Sequence, residues 1–157
     1  MRSLAISMLL FACVAGIAGA SEDTLQELKS RAETAPPQDR PRLRIRIAEL
    51  QLHNADKFYK EGDADHARAA LDEIVTYSEQ ARDSAVETKK HLKNVEIMVR
   101  KIAERLRDIK RTVTVEEQGP IDQAVQRLEE VRTSLLQRMF GKDRDKEKDK
   151  GKDKEKK

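Results

Sequence analysis

Side chains that could do acid–base or metal chemistry are scattered along this 157-residue chain. The three histidines, His53, His66 and His91, each lack a second histidine or a carboxylate pair at the spacing of a zinc site. The chain also lacks the G-x-S-x-G, H-E-x-x-H and P-loop patterns of hydrolases and nucleotide-binding proteins. The adjacent acids at 116–117 and 129–130 fall in polar stretches, away from any apolar pocket that would tune a general acid. We therefore expect no catalytic residue, no metal and no cofactor, and a protein that is not an enzyme.

The N-terminal twenty residues have the pattern of a secretory signal. Arg2 is followed by an apolar run, and small residues precede the polar stretch that begins at Ser21, which predicts cleavage after Ala20. We expect an exported protein, periplasmic or extracellular, with no membrane-spanning segment in the mature chain. The chain's single cysteine, Cys13, lies inside this signal. An alternative is a lipid anchor on Cys13, because residues 10–13 resemble a bacterial lipoprotein box, but the bulky Phe11 argues against it.

Charge divides the rest of the chain into a body and a tail. The formal net charge is +3, and the tail 141–157 alone holds nine basic and six acidic residues. The body, residues 21–140, holds 22 basic and 23 acidic residues, which argues against a nucleic-acid-binding domain. The tail has no apolar residue after Phe140, so we expect it to be disordered, although its alternating charges could form a transient helix. The predicted organisation is therefore a signal, one helical domain and a charged tail.

Composition and periodicity predict an all-α fold. Aromatic residues make up only 3% of the chain, too few for a typical β-sandwich or barrel. An apolar stripe with steps of three and four runs from Ala67 to Val113, through a weaker centre of small side chains at 78–88. We expect elongated antiparallel hairpins, or a bundle, around one long central helix. The predicted helices cover 22–35, 39–61, 64–112 and 120–140, with Asp39 as a cap, a loop at 116–119 and Pro120 at the first position of the last helix.

The first predicted helical hairpin resembles a tetratricopeptide repeat. The match covers about residues 55–74, with Phe58-Tyr59 before Gly62-Asp63 and Ala67 at the start of the next helix. This resemblance implies a helical hairpin with a left-handed turn at Gly62, and a family that binds peptides or proteins. Polar Gln51 and Asn54 stand where the family has large apolar residues. No second copy follows at a 34-residue spacing, so we expect a single hairpin rather than a repeat array.

A protein partner, or a second copy of the chain, is the ligand that this sequence favours. Basic residues and apolar residues off the main stripe form the candidate surface. The positions that we expect to contact a partner are Arg40, Arg42, Lys89, Lys90, Lys93, Ile97, Met98, Arg100 and Lys101. The main function predicted is that of an adaptor. The alternative is a self-associating coiled coil or a polyanion-binding component of the cell envelope.

The same bases have a purely structural interpretation. Residues 89–111 hold nine basic and three acidic residues, and the helix that follows carries Asp122 and Glu129. If the last helix folds back, these charges pair within the chain. By the same argument, the arginines at 40–46 should lie near the acids of 79–87.

Overall fold

The computed structural model describes the backbone of residues 19–154 and the side chains of residues 25–141. The predicted signal therefore lies outside the described residues, except for the backbone of its last two. The described part is all-α, as predicted, and contains five helices. They are α1 (Gly19–Thr34), α2 (Arg40–Glu61), α3 (Ala64–Thr88), α4 (Leu92–Lys110) and α5 (Val115–Lys154).

The hairpin of α2 and α3 forms as the sequence indicates, with one difference at its beginning. Pro41 occupies the first turn of α2, where its missing N–H costs nothing. Asp39 precedes α2 in a helical conformation and makes no side-chain cap, so the predicted capping bond is wrong. Gly62 ends α2 with φ +75°, and the Asp63 carboxylate then accepts the backbone N–H of His66 to cap α3.

The prediction of one long helix over 64–112 is wrong. The helix is continuous through 78–88 but ends at Thr88. In the turn 89–91, Lys89 and His91 both adopt left-handed conformations, with φ of 56° and 63°. The left-handed conformation costs a residue other than glycine roughly 1–2 kcal/mol. Because each fully buried valine or isoleucine contributes about 1.5–3 kcal/mol, a few additional buried side chains outweigh that cost. α4 reverses direction and buries Val95, Val99 and Ile102 within the same chain.

Helices α2 to α5 form a four-helix bundle, one of the two arrangements that the sequence predicts. Around the bundle, α2 contacts α3, α3 contacts α5, α5 contacts α4 and α4 contacts α2, and α3 also contacts α4. Small side chains at Ala81 and Ala85, both fully buried, allow the helices to approach closely there. The stripe that could have driven self-association is thus largely buried within one chain.

The last helix begins earlier than predicted. α5 starts at Val115, so residues 116–119 are helical and Pro120 lies inside the helix. Gly119 has no Cβ to clash with the proline ring that follows it, which eases this helical conformation. The buried core ends at Leu135, although the helical backbone continues to Lys154. A single helix beyond the packed body is marginal in water, which fits the disordered or transiently helical tail predicted from composition.

Candidate functional site

The basic residues of α4 are partly neutralised by acids of α5, as the structural interpretation predicts. Arg107 lies 2.7 Å from Glu129, and Lys110 lies 2.7 Å from Asp122, so both bases pair with α5. The hydrogen bond from Arg107 holds the pKa of Glu129 below its usual range. The continuous basic patch is therefore reduced to a smaller set of cations.

The arginines at the start of α2 do not form the predicted ion pairs with α3. Arg44 donates to the Gln80 carbonyl and to the Ser84 hydroxyl. Glu79 is bound by Arg127 of α5 instead. The antiparallel pairing of α2 with α3 is confirmed, but neutral oxygens take the place of the expected carboxylates.

Helix α1 packs against α2 and is joined to α3 by a polar side-chain contact. The Glu73 carboxylate of α3 accepts a hydrogen bond from the Lys29 ammonium at 2.7 Å, and another from the side-chain amide of Gln51. Gln51 is only 6% exposed, and Asn54 donates to its oxygen at 2.8 Å. This contact explains why polar residues stand at 51 and 54, where a tetratricopeptide repeat would have large apolar ones. The structure forms the hairpin, and membership of that family stays a prediction.

A cavity of about 680 Å³ is lined by residues of α1, the 35–39 link, α2 and α4, and we call it the lower cavity because it lies at the N-terminal ends of α2 and α4. Its apolar lining comes from Leu43 and Ile45 of α2 and Met98 of α4. Ile45 is 3% exposed, whereas Leu43 and Met98 are half-buried. Arg31 of α1 and Arg42 of α2 also line the cavity, and both are exposed.

The charges of the lower cavity separate it from the cavity between α3 and α5. In that second cavity, of about 400 Å³, Arg68 is bound by Glu117 and Arg127 by Glu79. In the lower cavity, Arg46 is bound by Glu49 at 3.3 Å. Among the described residues, however, Arg31 and Arg42 have no ion-pair partner. Unlike the cavity between α3 and α5, the lower cavity therefore has cations available beside an apolar surface.

A third cavity, of about 280 Å³, is lined by residues near the C-terminal ends of α2 and α4, and we call it the upper cavity. Tyr59, Ile109 and Val113 give it an apolar lining, and Asp56 with Arg105, 3.2 Å apart, joins α2 to α4 there. Burial works to raise the pKa of Asp56, but hydrogen bonds from Lys60 and Arg105 outweigh it and lower that pKa. Burial, with the nearby Glu117 charge, raises the pKa of Tyr59 to about 12.

The predicted partner-contacting residues fall into three groups. Arg42 and Met98, 56 positions apart in sequence, meet at the lower cavity. Arg40 instead donates to the carbonyls of Glu33 and Ala35, at 3.5 and 2.9 Å, and so holds the end of α1.

The remaining positions lie around the 89–91 turn and along α4. Lys89, Lys90, Lys93 and Lys101 are exposed, and Arg100 lies 4.0 Å from Glu104. Ile97 and Met98, expected to be exposed, are half-buried.

Sequence reasoning missed Arg31 and Leu43. A short link, residues 35–39, joins α1 to α2, which forces the end of α1 to lie beside the start of α2. That loop length was the available signal, and it would have placed Arg31 near Arg42.

Among the described residues, no group of three or more potential ligands could hold a metal ion. Within the same part of the chain, the helices lack the combination of length and apolarity needed to cross a membrane. No protein-family model, curated protein or solved structure matches this chain.

Proposed function

We propose that this chain is an exported, non-enzymatic adaptor that binds a protein partner. The observation that carries the proposal is the lower cavity, where half-buried Leu43 and Met98 lie beside Arg31 and Arg42. Methionine adapts to irregular partners, and arginine is enriched at the centres of protein interfaces. The signal-like segment 1–20 supports export.

Site-specific photo-crosslinking in the producing cells tests the adaptor function. A photoreactive amino acid at position 98 should give one dominant crosslinked protein. The same amino acid at Gln126, which is exposed on α5, is the matched control and should not. Equal products at both positions, or none at position 98 with monomeric light scattering, would contradict the adaptor function. The intact mass of the mature protein tests export: a chain starting at Ser21 supports a soluble form, and a lipid-modified chain starting at Cys13 supports the anchor.

The second candidate function is binding of a polyanion. Lys89, Lys90 and Lys93 are exposed near one turn and have no ion-pair partner among the described residues. Such binding should weaken steeply with salt, and K89E/K90E should abolish it. The coiled-coil form of this alternative is less well supported, because Ile74, Val99 and Ile102 of the stripe are each at most 1% exposed within the single chain.

A further inference from the structure

We propose that the partner contributes one acidic amphipathic helix, which lies along the side of the bundle between α2 and α4. This inference rests on the proposed adaptor function and specifies its ligand. We call that side the α2–α4 groove. It contains the lower cavity at one end and the upper cavity at the other.

The two cavities have the spacing of anchors on a helix. On α2, Leu43 lines the lower cavity and Tyr59 the upper cavity, and on α4 the corresponding residues are Met98 and Ile109. At 1.5 Å per residue these separations correspond to roughly 24 Å on α2 and 16 Å on α4. A helix lying in the groove would therefore insert two large apolar side chains about three to four turns apart. The groove is long enough for a segment of about 18 residues.

The charge of the groove selects an acidic ligand. Arg31 and Arg42 lie at the lower cavity without an ion-pair partner among the described residues. Lys101 is exposed and follows Met98 by three positions and precedes Arg105 by four, so it shares their face of α4. Of the acids that line the two cavities, Glu49 is bound by Arg46, Asp56 by Lys60 and Arg105, and Asp108 by Arg111. Asp39 alone among these acids has no ion-pair partner within the described residues, and it stands against the three cations Arg31, Arg42 and Lys101. The available charge is thus positive, and it is concentrated toward the lower cavity.

The distribution of charge along the groove predicts the orientation of the ligand helix. In the upper cavity, the contact of Asp56 with Arg105 leaves little free charge beside Tyr59 and Ile109. The acidic residues of the ligand should therefore flank the anchor that enters the lower cavity. The other anchor should have neutral or apolar neighbours.

Selection from a display library of 18-residue helical peptides tests this ligand class, with the full-length mature protein immobilised. We expect enriched peptides to have two large apolar residues three to four turns apart, and acidic residues around one of them. R31E/R42E should reduce the affinity of the selected peptides at least tenfold. R138E/K57E, which changes the net charge equally at exposed positions that line neither cavity, should reduce it less than twofold.

Several outcomes would overturn the inference. Enrichment of neutral or basic peptides, no enrichment above the R31E/R42E protein, or equal losses in both double variants would each do so. Dimerisation that M98E abolishes would assign the groove to a second copy. Binding to phosphatidylglycerol vesicles that R31E/R42E abolishes would assign it to a membrane surface. If the crosslink at position 98 forms but the selected peptides are not acidic, the adaptor function stands and only the ligand class is wrong.

Discussion

Arg132 of α5 donates a hydrogen bond from Nε to Oε1 of Glu96 on α4, at 2.9 Å, and Glu96 is only 9% exposed. The Arg132 Nη1 also lies 3.4 Å from Glu129, on its own helix. The hydrogen bond to Glu96, followed by that to Glu129, raises the pKa of Arg132 above its usual range. This pair connects α4 to α5 at the end of the hairpin opposite Lys110 and Asp122.

We expect E96Q to lower the free energy of unfolding by about 1–3 kcal/mol, because it weakens a partly buried charged hydrogen bond. Urea denaturation followed by circular dichroism measures the change. E104Q is the matched control, since Glu104 is exposed and lies 4.0 Å from Arg100, and it should cost less than about 0.5 kcal/mol. Equal effects of the two substitutions would show that burial of Glu96 adds nothing.

The left-handed residues in the 89–91 turn make a second prediction. K89G removes the Cβ from a residue with φ 56°, so it should leave stability unchanged or raise it by up to about 1 kcal/mol. Lys90 lies between the two left-handed residues without a positive φ itself. K90G should therefore destabilise the fold slightly, through added flexibility of the unfolded chain. A larger loss of urea midpoint for K89G than for K90G would show that Lys89 contributes a contact that outweighs its strain.

The sequence predicts the elements of this fold better than their arrangement. Local signals, such as Gly62 at a turn and Pro41 in a first turn, act within a few residues and are confirmed. The break at Lys89 has no such signal, because the chain from 63 to 118 contains neither glycine nor proline. It depends on burial of Val95, Val99 and Ile102 by helices distant in sequence, and periodicity alone does not show which neighbours a stripe will meet.

The candidate site was predicted only in part for the same reason. Arg42 and Met98 were candidates on charge and exposure, but their meeting depends on α4 turning back toward α2. The exposed charge of Arg31 becomes significant only once α1 is placed beside α2. Lys110 and Arg107, in contrast, could be assigned structural roles from sequence, because their acids are on the adjacent helix of a short hairpin.

A third prediction concerns Gly62, whose φ of +75° favours glycine. A Cβ added at Gly62 would meet no atom within 4 Å, so G62A tests the backbone conformation without a packing effect. We expect a loss of about 1 kcal/mol in the free energy of unfolding. G141A is the control, because Gly141 is helical and equally open, and it should leave stability unchanged or raise it by up to about 1 kcal/mol. Similar losses of stability for both substitutions would show that the positive φ of Gly62 is not the cause.

The polar contact of α1 supplies a fourth prediction. K29M removes the ammonium that joins α1 to Glu73, and Lys29 also lies 5.7 Å from the centre of the Tyr77 ring. Amide hydrogen exchange should become faster in residues 25–34, while α2 to α5 keep their protection. K57M, at an exposed lysine 4.0 Å from Glu61, should leave α1 unchanged. Faster exchange throughout the bundle would mean that α1 is an integral part of the core.

The fifth prediction uses the raised pKa of Tyr59. Burial first, and then the Glu117 charge, raise it to about 12 in the folded state, from about 10 in the unfolded chain. The folded state thus holds the phenolic proton more tightly, so the stabilisation is fully present below about pH 10 and is lost as pH rises toward 12. The Tyr59 hydroxyl is buried without a hydrogen-bond partner among the described residues, so Y59F should change stability by less than about 1 kcal/mol near neutral pH. Urea midpoints measured from about pH 8 to about pH 11 should fall further for the natural protein than for Y59F. Parallel curves for the two proteins would show that Tyr59 ionises equally readily in both states.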